Sequence, residues 1–353
     1  MTHDAMLERG LRKRAGALLF EGVFEGLTRL GKLHPMAKPD RHGVQVLRDI
    51  PYATGPGRRR DHLLDVYRPQ GTREGEGLPV VLYIHGGAFR MLSKDSHWIM
   101  GLSFARRGLL VFNINYRLAP EHPYPAAAVD ASNALRWVLD NARAYGGDTD
   151  KLIIAGESAG ANLACVTTIA CCYERPEPWA RALFDRGVTP RAALPACGIL
   201  QVSDTQRFAR RRPLPRWLTD RLTAPTNHYL GAADADQPGG LELADPLCVI
   251  EKGEEPARPL PPFFLPVGTR DPLLDDTRRM AAALQALSVD AEAIYYPGEL
   301  HAFHAMIFRP AARKCWLDTW RFLGRVMPET VELAREREHL LRRSPVRMML
   351  SRR

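Results

Sequence analysis

Short, uninterrupted apolar runs alternate with longer segments of helical periodicity over most of the chain beyond residue 60. An apolar run of about 4–8 residues is typical of a strand buried on both faces, whereas apolar positions that recur every three or four residues are typical of a helix. The runs predict strands over 63–67, 79–84, 109–114, 151–155, 192–200, 263–267 and 291–296. The periodic segments predict helices over 126–145, 159–174, 275–287 and 311–326. This alternation predicts an α/β fold, with a mostly parallel central sheet and helices on both of its faces.

The N-terminal segment, residues 1–50, departs from this alternation. Large apolar residues recur there at helical spacing among Arg and Glu, and His34-Pro35 ends the pattern. The glycines at positions 10, 16, 22 and 26 each weaken a helix by up to about 1 kcal/mol relative to alanine. The segment is therefore predicted to form helices that need another surface to pack on. Its apolar stripe consists of Leu7, Leu11, Leu18, Phe20, Val23, Phe24, Leu27 and Leu30.

A second irregular segment, residues 203–250, is rich in Arg, Pro and Gly and lies between two predicted strands. A loop of that length without structure is uncommon in a compact domain. We interpret it as an inserted lid over a pocket, with a helix near residues 214–229. Four of its apolar side chains are candidates to line that pocket: Phe208, Trp217, Leu218 and Leu222.

The composition is that of a globular protein, and its charge is concentrated in two segments. Of 353 residues, 45% are hydrophobic and 25% are charged, which excludes a disordered or fibrous chain. The net charge of +9 comes from residues 207–221, with six arginines and one aspartate, and residues 334–353, with seven arginines and two glutamates. Because no basic face is interleaved with aromatic residues, nucleic-acid binding is not favoured. For the basic C-terminus, a solvated surface and a peripheral contact with anionic membrane lipids both stay open.

Neither a membrane anchor nor a metal site is indicated by the sequence. No apolar stretch reaches the roughly 20 residues that cross a bilayer. Acidic residues interrupt the N-terminal segment where the apolar part of a signal peptide would lie. We therefore expect a cytoplasmic protein, with peripheral membrane contact as the alternative. The six cysteines lack the paired spacing of zinc sites, so we expect them to be buried and reduced.

A serine motif joins a predicted strand to a predicted helix. The segment 156–160, Gly-Glu-Ser-Ala-Gly, is a weak signal by itself. A strand-to-helix reversal in so few residues, however, forces the serine into a strained turn that projects its hydroxyl above the sheet. Ser158 is therefore the candidate nucleophile, and the Ala159 N–H faces the same point. A plain glycine-bounded turn, the alternative, would not require serine at its apex.

A glycine-containing loop, residues 85–89 (His-Gly-Gly-Ala-Phe), follows another predicted strand. Exposed backbone N–H groups can stabilise the negative oxygen that develops when an ester carbonyl becomes tetrahedral. Gly86, Gly87 and Ala159 are the candidate donors of this oxyanion hole, and His85 is expected to anchor the loop. An ordinary Gly-Gly turn is the alternative. Two further residues of the loop are candidates for the substrate pocket: Ala88 and Phe89.

A serine nucleophile needs a base, and the base needs an acid that orients it. Asp271 and His301 each follow a predicted strand by a few residues. Both are therefore expected at the carboxyl edge of the parallel sheet, where Ser158 also lies. The order serine, aspartate, histidine along the chain is the order found in α/β-hydrolases.

Other acidic residues and a second histidine lie close to these candidates in the sequence. Asp275 and Asp276 begin the predicted helix 275–287, where carboxylates commonly cap the first turn. His304 lies about one helical turn beyond His301, too far along the chain to share its position. We therefore keep His304 as the second choice for the base.

Together these motifs resemble the bacterial esterase and lipase branch of the hormone-sensitive-lipase family of α/β-hydrolases. They run in the order of that family from about residue 60 to residue 325. The resemblance implies the α/β-hydrolase fold, with the triad and the oxyanion hole at the residues named above. The segments that carry it are Leu64-Asp65-Val66-Tyr67-Arg68-Pro69, the loop 85–89, Tyr116 to Ala127, Gly156 to Gly160, Asp271 to Asp276, and His301-Ala302-Phe303.

The resemblance also implies a domain organisation. Residues 51–202 and 251–330 would form the catalytic core. The N-terminal helices, residues 1–50, and the insertion, residues 203–250, would form a cap over the site. The basic C-terminal tail, residues 331–353, has no counterpart in the family that we can place.

Three residues depart from the pattern of the family. Ala88 replaces the third glycine of the loop, which should reshape the acyl pocket rather than abolish catalysis. Glu157 replaces the commoner aspartate before the nucleophile, and Ala302 replaces a frequent glycine after the base.

The sequence thus predicts a serine carboxylesterase or lipase that hydrolyses short- to medium-chain acyl esters through an acyl-enzyme, without a cofactor or a metal. An amidase or deacetylase stays open, because the same triad attacks amides. A non-catalytic small-molecule receptor on this fold is the alternative of a different class. Such receptors have lost the base histidine, whereas His301 is present here. Small acyl esters are the expected partners, nucleic acid is not expected, and a homodimer stays open.

Overall fold

The computed structural model describes residues 37–54, 60–207, 227–231 and 238–343, together with the single positions 26, 31 and 34. The strands are β1 (Val44–Pro51), β2 (Leu63–Pro69), β3 (Leu78–Ile84), β4 (Leu110–Ile114), β5 (Gly147–Glu157), β6 (Ala192–Ala196), β7 (Phe263–Gly268) and β8 (Ala291–Tyr296). The helices are α1 (Trp98–Ala105), α2 (Ala126–Asn141), α3 (Ala159–Cys172), α4 (Pro178–Phe184), α5 (Pro246–Glu251), α6 (Leu274–Ala286), α7 (Pro310–Val326) and α8 (Glu329–Arg343). Short 3₁₀ helices span Pro39–His42, Ala142–Tyr145, Glu242–Ala244 and Phe303–Ala305.

The strands form one sheet in the order β1-β2-β4-β3-β5-β6-β7-β8. β2 pairs antiparallel with both β1 and β4. All other neighbours, from β4 and β3 through to β8, pair in parallel. The predicted mostly parallel sheet is therefore confirmed. Its parallel strands end at one common edge, where loops can bring side chains from distant parts of the chain together.

Helices cover both faces of the sheet, as the sequence predicts. Along β3, Val80 and Leu82 point into one apolar core, and Val81 and Tyr83 point into the other, because successive side chains of a strand alternate. Helices α2 to α6 contribute to the first core, and α1 and α7 contribute to the second. Burial of each large apolar side chain contributes about 1.5–3 kcal/mol to these cores.

Some element boundaries differ from those that the apolar pattern predicts. The predicted strand 192–200 ends at Ala196, because the backbone turns away from the sheet at Cys197, which has φ 40°. The Leu200 N–H then donates to Asp276 Oδ2 at 2.9 Å instead of to a neighbouring strand. The predicted helix 126–145 ends at Asn141 and continues only as a 3₁₀ turn.

The edge strand β1 was not predicted, since sequence analysis assigned residues 1–50 to cap helices. Residues 44–51 instead pair with β2. Only Val44 of this strand is fully buried, and the strand carries Gln45, Arg48 and Asp49. A strand at the edge of a sheet needs no continuous apolar run, so the pattern did not reveal it.

The C-terminal segment is also more ordered than the assignment of residues 331–353 to a tail implied, because α8 extends through residue 343. A Cβ placed on Gly108 would lie 3.0 Å from Leu333 Cβ, and the Arg337 guanidinium donates to Gly43 O, so α8 packs on the sheet domain. The end of the 203–250 segment likewise belongs to the core, since α5 buries Leu247 and Ile250 there.

The rest of the predicted cap remains a prediction. The apolar stripe of residues 7–30 and the lid residues 208–226 lie outside the described residues. None of the described helices is both long and apolar enough to cross a membrane. Five of the six cysteines are buried, and Cys248 is half-buried.

Candidate active site

Ser158 lies at the sharp turn between the end of β5 and the start of α3. Its backbone has φ 55° and ψ −116°, a conformation that strains any residue with a side chain. A Cβ on Gly156 would lie 2.3 Å from Gly160 O, and a Cβ on Gly160 would lie 2.1 Å from Ile84 O, so both neighbours must be glycine. The Ser158 N–H donates to Ala196 O at 3.0 Å, which ties the turn to β6. The predicted strand-to-helix reversal is confirmed.

Three polar side chains meet above the carboxyl ends of β5, β7 and β8. Ser158 Oγ is 3.0 Å from His301 Nε2, and His301 Nδ1 is 2.9 Å from Asp271 Oδ2. A carboxylate can only accept, so the Nδ1 proton is donated to Asp271, and Nε2 is left to accept the Ser158 hydroxyl. The other oxygen of Asp271, Oδ1, accepts the Leu273 N–H at 2.8 Å, which fixes the orientation of the carboxylate.

The electrostatics of these groups favour proton transfer to the histidine. Asp271 is buried, whereas 36% of the His301 side chain is exposed. Burial acts to lower the pKa of His301, but the charge of Asp271 outweighs it and raises that pKa well above its usual value. The carboxylate thereby stabilises the imidazolium that would form when His301 takes a proton from Ser158.

The second-choice base, His304, points to a different residue. Its Nε2 lies 2.8 Å from Glu157 Oε2, and its side chain is buried beneath the serine turn. Of the two histidines, the structure therefore brings His301 and not His304 into contact with Ser158.

The capping role expected of Asp276 is wrong. Asp275 and Asp276 lie in the first turn of α6, but the N-cap residue is Leu273, and no side-chain hydrogen bond is made there. Asp276 instead accepts the Leu200 N–H at 2.9 Å and pairs with Arg207 at 2.7 Å, while Asp275 pairs with Arg278 at 3.4 Å. Asp276 thus holds the segment that follows β6, because that segment and Arg207 supply donors close to its carboxylate.

The loop 85–89 follows β3 and lies beside the serine turn. A Cβ on Gly86 would lie 3.0 Å from Glu157 O, and a Cβ on Gly87, which has φ 121°, would lie 2.0 Å from Met91 O. Gly87 therefore requires glycine, whereas a side chain at Gly86 would have to displace Glu157 by a few tenths of an ångström. This close approach brings the backbone of the loop next to the turn that carries Ser158.

His85 anchors this loop from below. Burial lowers the pKa of His85 to about 3, which keeps the ring neutral. Its Nδ1 is 2.6 Å from Gly86 O, the geometry of an N–H donated to a carbonyl. The ring stacks on Tyr116 with centroids 4.3 Å apart, and the Tyr116 hydroxyl donates to His85 O at 3.0 Å. The structural role expected of His85 is confirmed.

Several backbone amides around the turn are placed to bind an anionic oxygen. Within the part of the chain that the structure describes, the N–H groups of Gly87, Ala88 and Ala159 meet no protein acceptor. The Gly86 N–H lies 3.4 Å from His97 Nε2, a long hydrogen bond. The Gly86 N–H is therefore directed at the buried His97 ring, unlike the other three amides.

The candidate pocket residues differ in their surroundings. Ala88 is half-buried in the loop, next to Gly87. Phe89 is 1% exposed, and its ring stacks on Tyr229 with centroids 3.7 Å apart, so it packs beneath the loop rather than facing an open pocket. The other pocket candidates lie outside the described residues: Phe208, Trp217, Leu218 and Leu222.

One group of side chains in the described structure has the chemistry to hold a metal ion. Ligand atoms of Cys197, Asp271 and His301 lie within 4.8 Å of one another. A thiolate, a carboxylate and an imidazole are ligands that zinc accepts. An ion on Nδ1 of His301 would displace the proton shared with Asp271, so metal binding and the hydrogen bonds described above exclude each other.

Sequence analysis missed one residue that lies against the candidate site. His97 Nε2 is 2.7 Å from Glu157 Oε1, and both side chains are buried. In the sequence, Glu157 was noted only because it replaces the aspartate that is commoner in the family, and no motif included His97. No motif or spacing could have paired them, because the two residues are 60 positions apart in the chain.

Comparison with known proteins supports the α/β-hydrolase fold. A family model described as the alpha/beta hydrolase fold matches residues 81–305, which include Ser158, Asp271 and His301. The carboxylesterase NlhH of Mycobacterium tuberculosis is 32% identical over 243 residues, which are 67% of this chain and 70% of NlhH. The esterase LipQ of the same organism is 27% identical over 270 residues, 76% of this chain, but the match spans only 59% of the length of LipQ.

Solved structures agree with the fold. The chain is similar to a hyperthermophilic esterase from the archaeon Pyrobaculum calidifontis, with a TM-score of 0.65 and 26% identity. The match covers 91% of both chains. It therefore extends well beyond the segment matched by the family model.

Proposed function

Because this chain belongs to the hormone-sensitive-lipase family of α/β-hydrolases, a family of serine carboxylesterases and lipases, we propose that it hydrolyses carboxylic esters with Ser158, His301 and Asp271. The observation that carries the proposal is the continuous hydrogen-bonded chain of these three side chains, with distances of 3.0 and 2.9 Å. The strained backbone of Ser158 supports it, since strain of this kind is concentrated at functional sites.

The proposed reaction has two halves that use the same histidine. Ser158 Oγ attacks the acyl carbonyl while His301 Nε2 takes its proton, and Asp271 stabilises the resulting imidazolium. When the tetrahedral intermediate collapses, His301 returns the proton to the leaving alcohol and an acyl-enzyme remains. Water, activated by the same nitrogen, then attacks the acyl carbon and releases the acid and Ser158.

Backbone amides would stabilise the tetrahedral oxyanion. We propose Gly87 and Ala159 as donors, each worth on the order of 10²–10³ in turnover. Their amides have no protein acceptor among the described residues, which supports this assignment. Ala88 offers a further amide in the same loop, whereas the N–H of Gly86, the third candidate from the sequence, is directed at His97.

We also propose that short- to medium-chain acyl esters are the substrates. Ala88 stands where the family has a third glycine, and its φ of 54° sets a methyl group into the loop beside the proposed oxyanion hole. This methyl group would narrow the space for the acyl chain. Initial rates on p-nitrophenyl esters graded from acetate to palmitate test the assignment. A maximum at palmitate would contradict it.

The decisive experiment for the ester-hydrolase proposal compares the wild type with Ser158→Ala on p-nitrophenyl butyrate. Loss of the nucleophile should lower turnover by a factor on the order of 10⁴–10⁶ while the thermal unfolding transition is retained. A folded variant that kept more than a tenth of the activity would refute the proposal. The matched p-nitroanilide measures the rival amidase activity, which we expect to be far lower.

A further inference from the structure

A buried glutamate with two histidine partners lies directly beneath the proposed site. Glu157 directly precedes Ser158 in the chain, and only 8% of its side chain is exposed. Oε1 lies 2.7 Å from His97 Nε2, and Oε2 lies 2.8 Å from His304 Nε2. Taking a carboxylate out of water is costly unless it is well paired. The proposed reaction uses none of these three side chains, so their presence in the core needs a separate explanation.

His97 is held at both of its ring nitrogens. Nε2 lies 2.7 Å from Glu157 Oε1, and because a carboxylate can only accept, Nε2 carries a proton and donates it to this oxygen. Nδ1 lies 2.8 Å from Ser96 Oγ and 3.2 Å from Ser93 O. The Ser96 hydroxyl also lies 2.7 Å from Ser93 O. These contacts fix the orientation of the ring.

The Glu157 carboxylate is ionised. Burial acts to raise the pKa of Glu157, but the interactions with His97 and His304 outweigh burial and hold that pKa well below its usual range. Glu157 and His97 therefore form a buried hydrogen-bonded pair, and His304 Nε2 lies 2.8 Å from the second carboxylate oxygen.

The pair of Glu157 and His97 contacts both halves of the proposed site. A Cβ on Gly86 would lie 3.0 Å from Glu157 O and 3.3 Å from Glu157 Oε1. The Gly86 N–H is directed at His97 Nε2, with the two nitrogens 3.4 Å apart, and Glu157 is bonded directly to Ser158. The pair therefore contacts both the start of the loop 85–89 and the serine turn.

The segment that carries His97 is itself held firmly in place. The Lys94 N–H donates to Asn115 Oδ1 at 2.7 Å, and Asn113 Nδ2 donates to Lys94 O at 3.0 Å. The Lys94 ammonium pairs with the buried Asp65 at 2.8 Å. The His97 ring is therefore fixed relative to β2 and β4, and it can hold Gly86 in a constant position.

We propose that Glu157 and His97 are positioning residues for ester hydrolysis, because their hydrogen-bonded pair fixes the loop 85–89, and with it the Gly87 N–H, relative to Ser158. This inference rests on the proposed function. It assigns these residues no contact with the substrate, and their effect is confined to the transition state, in which the oxyanion exists.

Three variants test the inference by kinetics. Glu157→Gln and His97→Gln should each lower kcat by about 10²–10³, the usual loss when one oxyanion donor fails. KM should change by less than about threefold, since binding of the ground-state carbonyl does not depend on the oxyanion donors of the loop. The affinity for an alkylboronic acid, which places an anionic oxygen in the hole, should fall in parallel with kcat. Glu157→Asp keeps the charge and should recover part of the loss.

His62→Gln is the matched control. His62 Nε2 lies 3.2 Å from Asp130 Oδ1 in another buried histidine–carboxylate pair, outside the proposed site. This variant should lower the unfolding temperature as Glu157→Gln does, yet keep kcat and boronate affinity. A purely structural role for Glu157 would instead give both variants the same kinetics.

Two results would overturn the inference. One is folded Glu157→Gln or His97→Gln enzyme with kcat within threefold of the wild type. The other is a loss that appears in KM and leaves boronate affinity unchanged. If Glu157→Gln does not fold, His97→Gln and His97→Asn decide by the same criteria. Ser158→Ala distinguishes failure of the proposed function from failure of the positioning role. An active Ser158→Ala variant refutes the proposed function. An inactive Ser158→Ala variant together with a fully active Glu157→Gln variant refutes only the positioning role.

Discussion

Replacing Gly160 by alanine should disable the site without unfolding the protein. The added Cβ would lie 2.1 Å from Ile84 O and 2.5 Å from His85 O. Cβ atoms in proteins essentially never come within 3.0 Å of a heavy atom to which they are not covalently linked. The start of α3 must therefore move away from β3 by about 0.9 Å, the difference between 3.0 and 2.1 Å. Ser158 and the Ala159 N–H move with it. A misplacement of about 1 Å costs about 10²-fold in turnover.

The same shift should cost only part of the stability. Overpacking typically destabilises a protein by about 1–3 kcal/mol, against a total of about 5–15 kcal/mol, so the Gly160→Ala enzyme should stay folded. Steady-state kinetics on p-nitrophenyl butyrate and thermal unfolding measure the two effects on one sample. We expect kcat to fall about 10²-fold with a modest decrease in the unfolding temperature.

Gly187→Ala provides the control for a glycine-to-alanine change as such. Gly187 has φ 68°, and no atom lies within 4 Å of the position of its Cβ. Alanine there carries the backbone strain of about 1–2 kcal/mol without a clash near the serine turn. Its kcat should equal that of the wild type. The reasoning is refuted if Gly160→Ala keeps kcat within threefold of the wild type, or if Gly187→Ala loses as much activity.

Two further predictions concern the histidines and pH. His301→Ala should lose as much activity as Ser158→Ala, whereas His304→Ala should lose far less, because the His304 ring lies against Glu157 and not against the nucleophile. Equal losses in steady-state kcat for the two histidine variants would contradict this assignment. Asp271 raises the pKa of His301, and His301 must be unprotonated at Nε2 to act as the base. Activity should therefore be present above that raised pKa and be lost as pH falls through it, so the acid limb of kcat/KM should lie above the usual value of about 6.5. A limb below that value in a pH–rate profile would show that another group controls the reaction.

Local patterns in the sequence were sufficient for most of the core. The strands β3 and β5 are continuous apolar runs, because a parallel strand covered on both faces has no polar side. The hydrogen-bonded contact of Ser158, Asp271 and His301 could be anticipated for a related reason. Each follows a parallel strand, and such strands end at the same edge of the sheet.

Contacts between distant parts of the chain could not be read in the same way. β1 is stabilised by its pairing with β2 at the edge, so its own residues show no apolar run. Asp276 was mistaken for a helix cap because its partner Arg207 lies 69 positions away, in a segment that carries no recognisable pattern. The buried pair of His97 and Glu157 exists only through the fold, since neither residue alone signals the other.

The most direct test of the central claim is covalent labelling of the wild type with a fluorophosphonate probe, followed by peptide mass spectrometry. Such a probe reacts with a serine that a neighbouring base activates, and His301 Nε2 is the base 3.0 Å from Ser158 Oγ. The account predicts one label per chain, carried by Ser158, with ester hydrolysis lost in proportion to labelling and no label on Ser158→Ala. Full ester hydrolysis by completely labelled enzyme, or stoichiometric labelling of another serine with loss of activity, would contradict it.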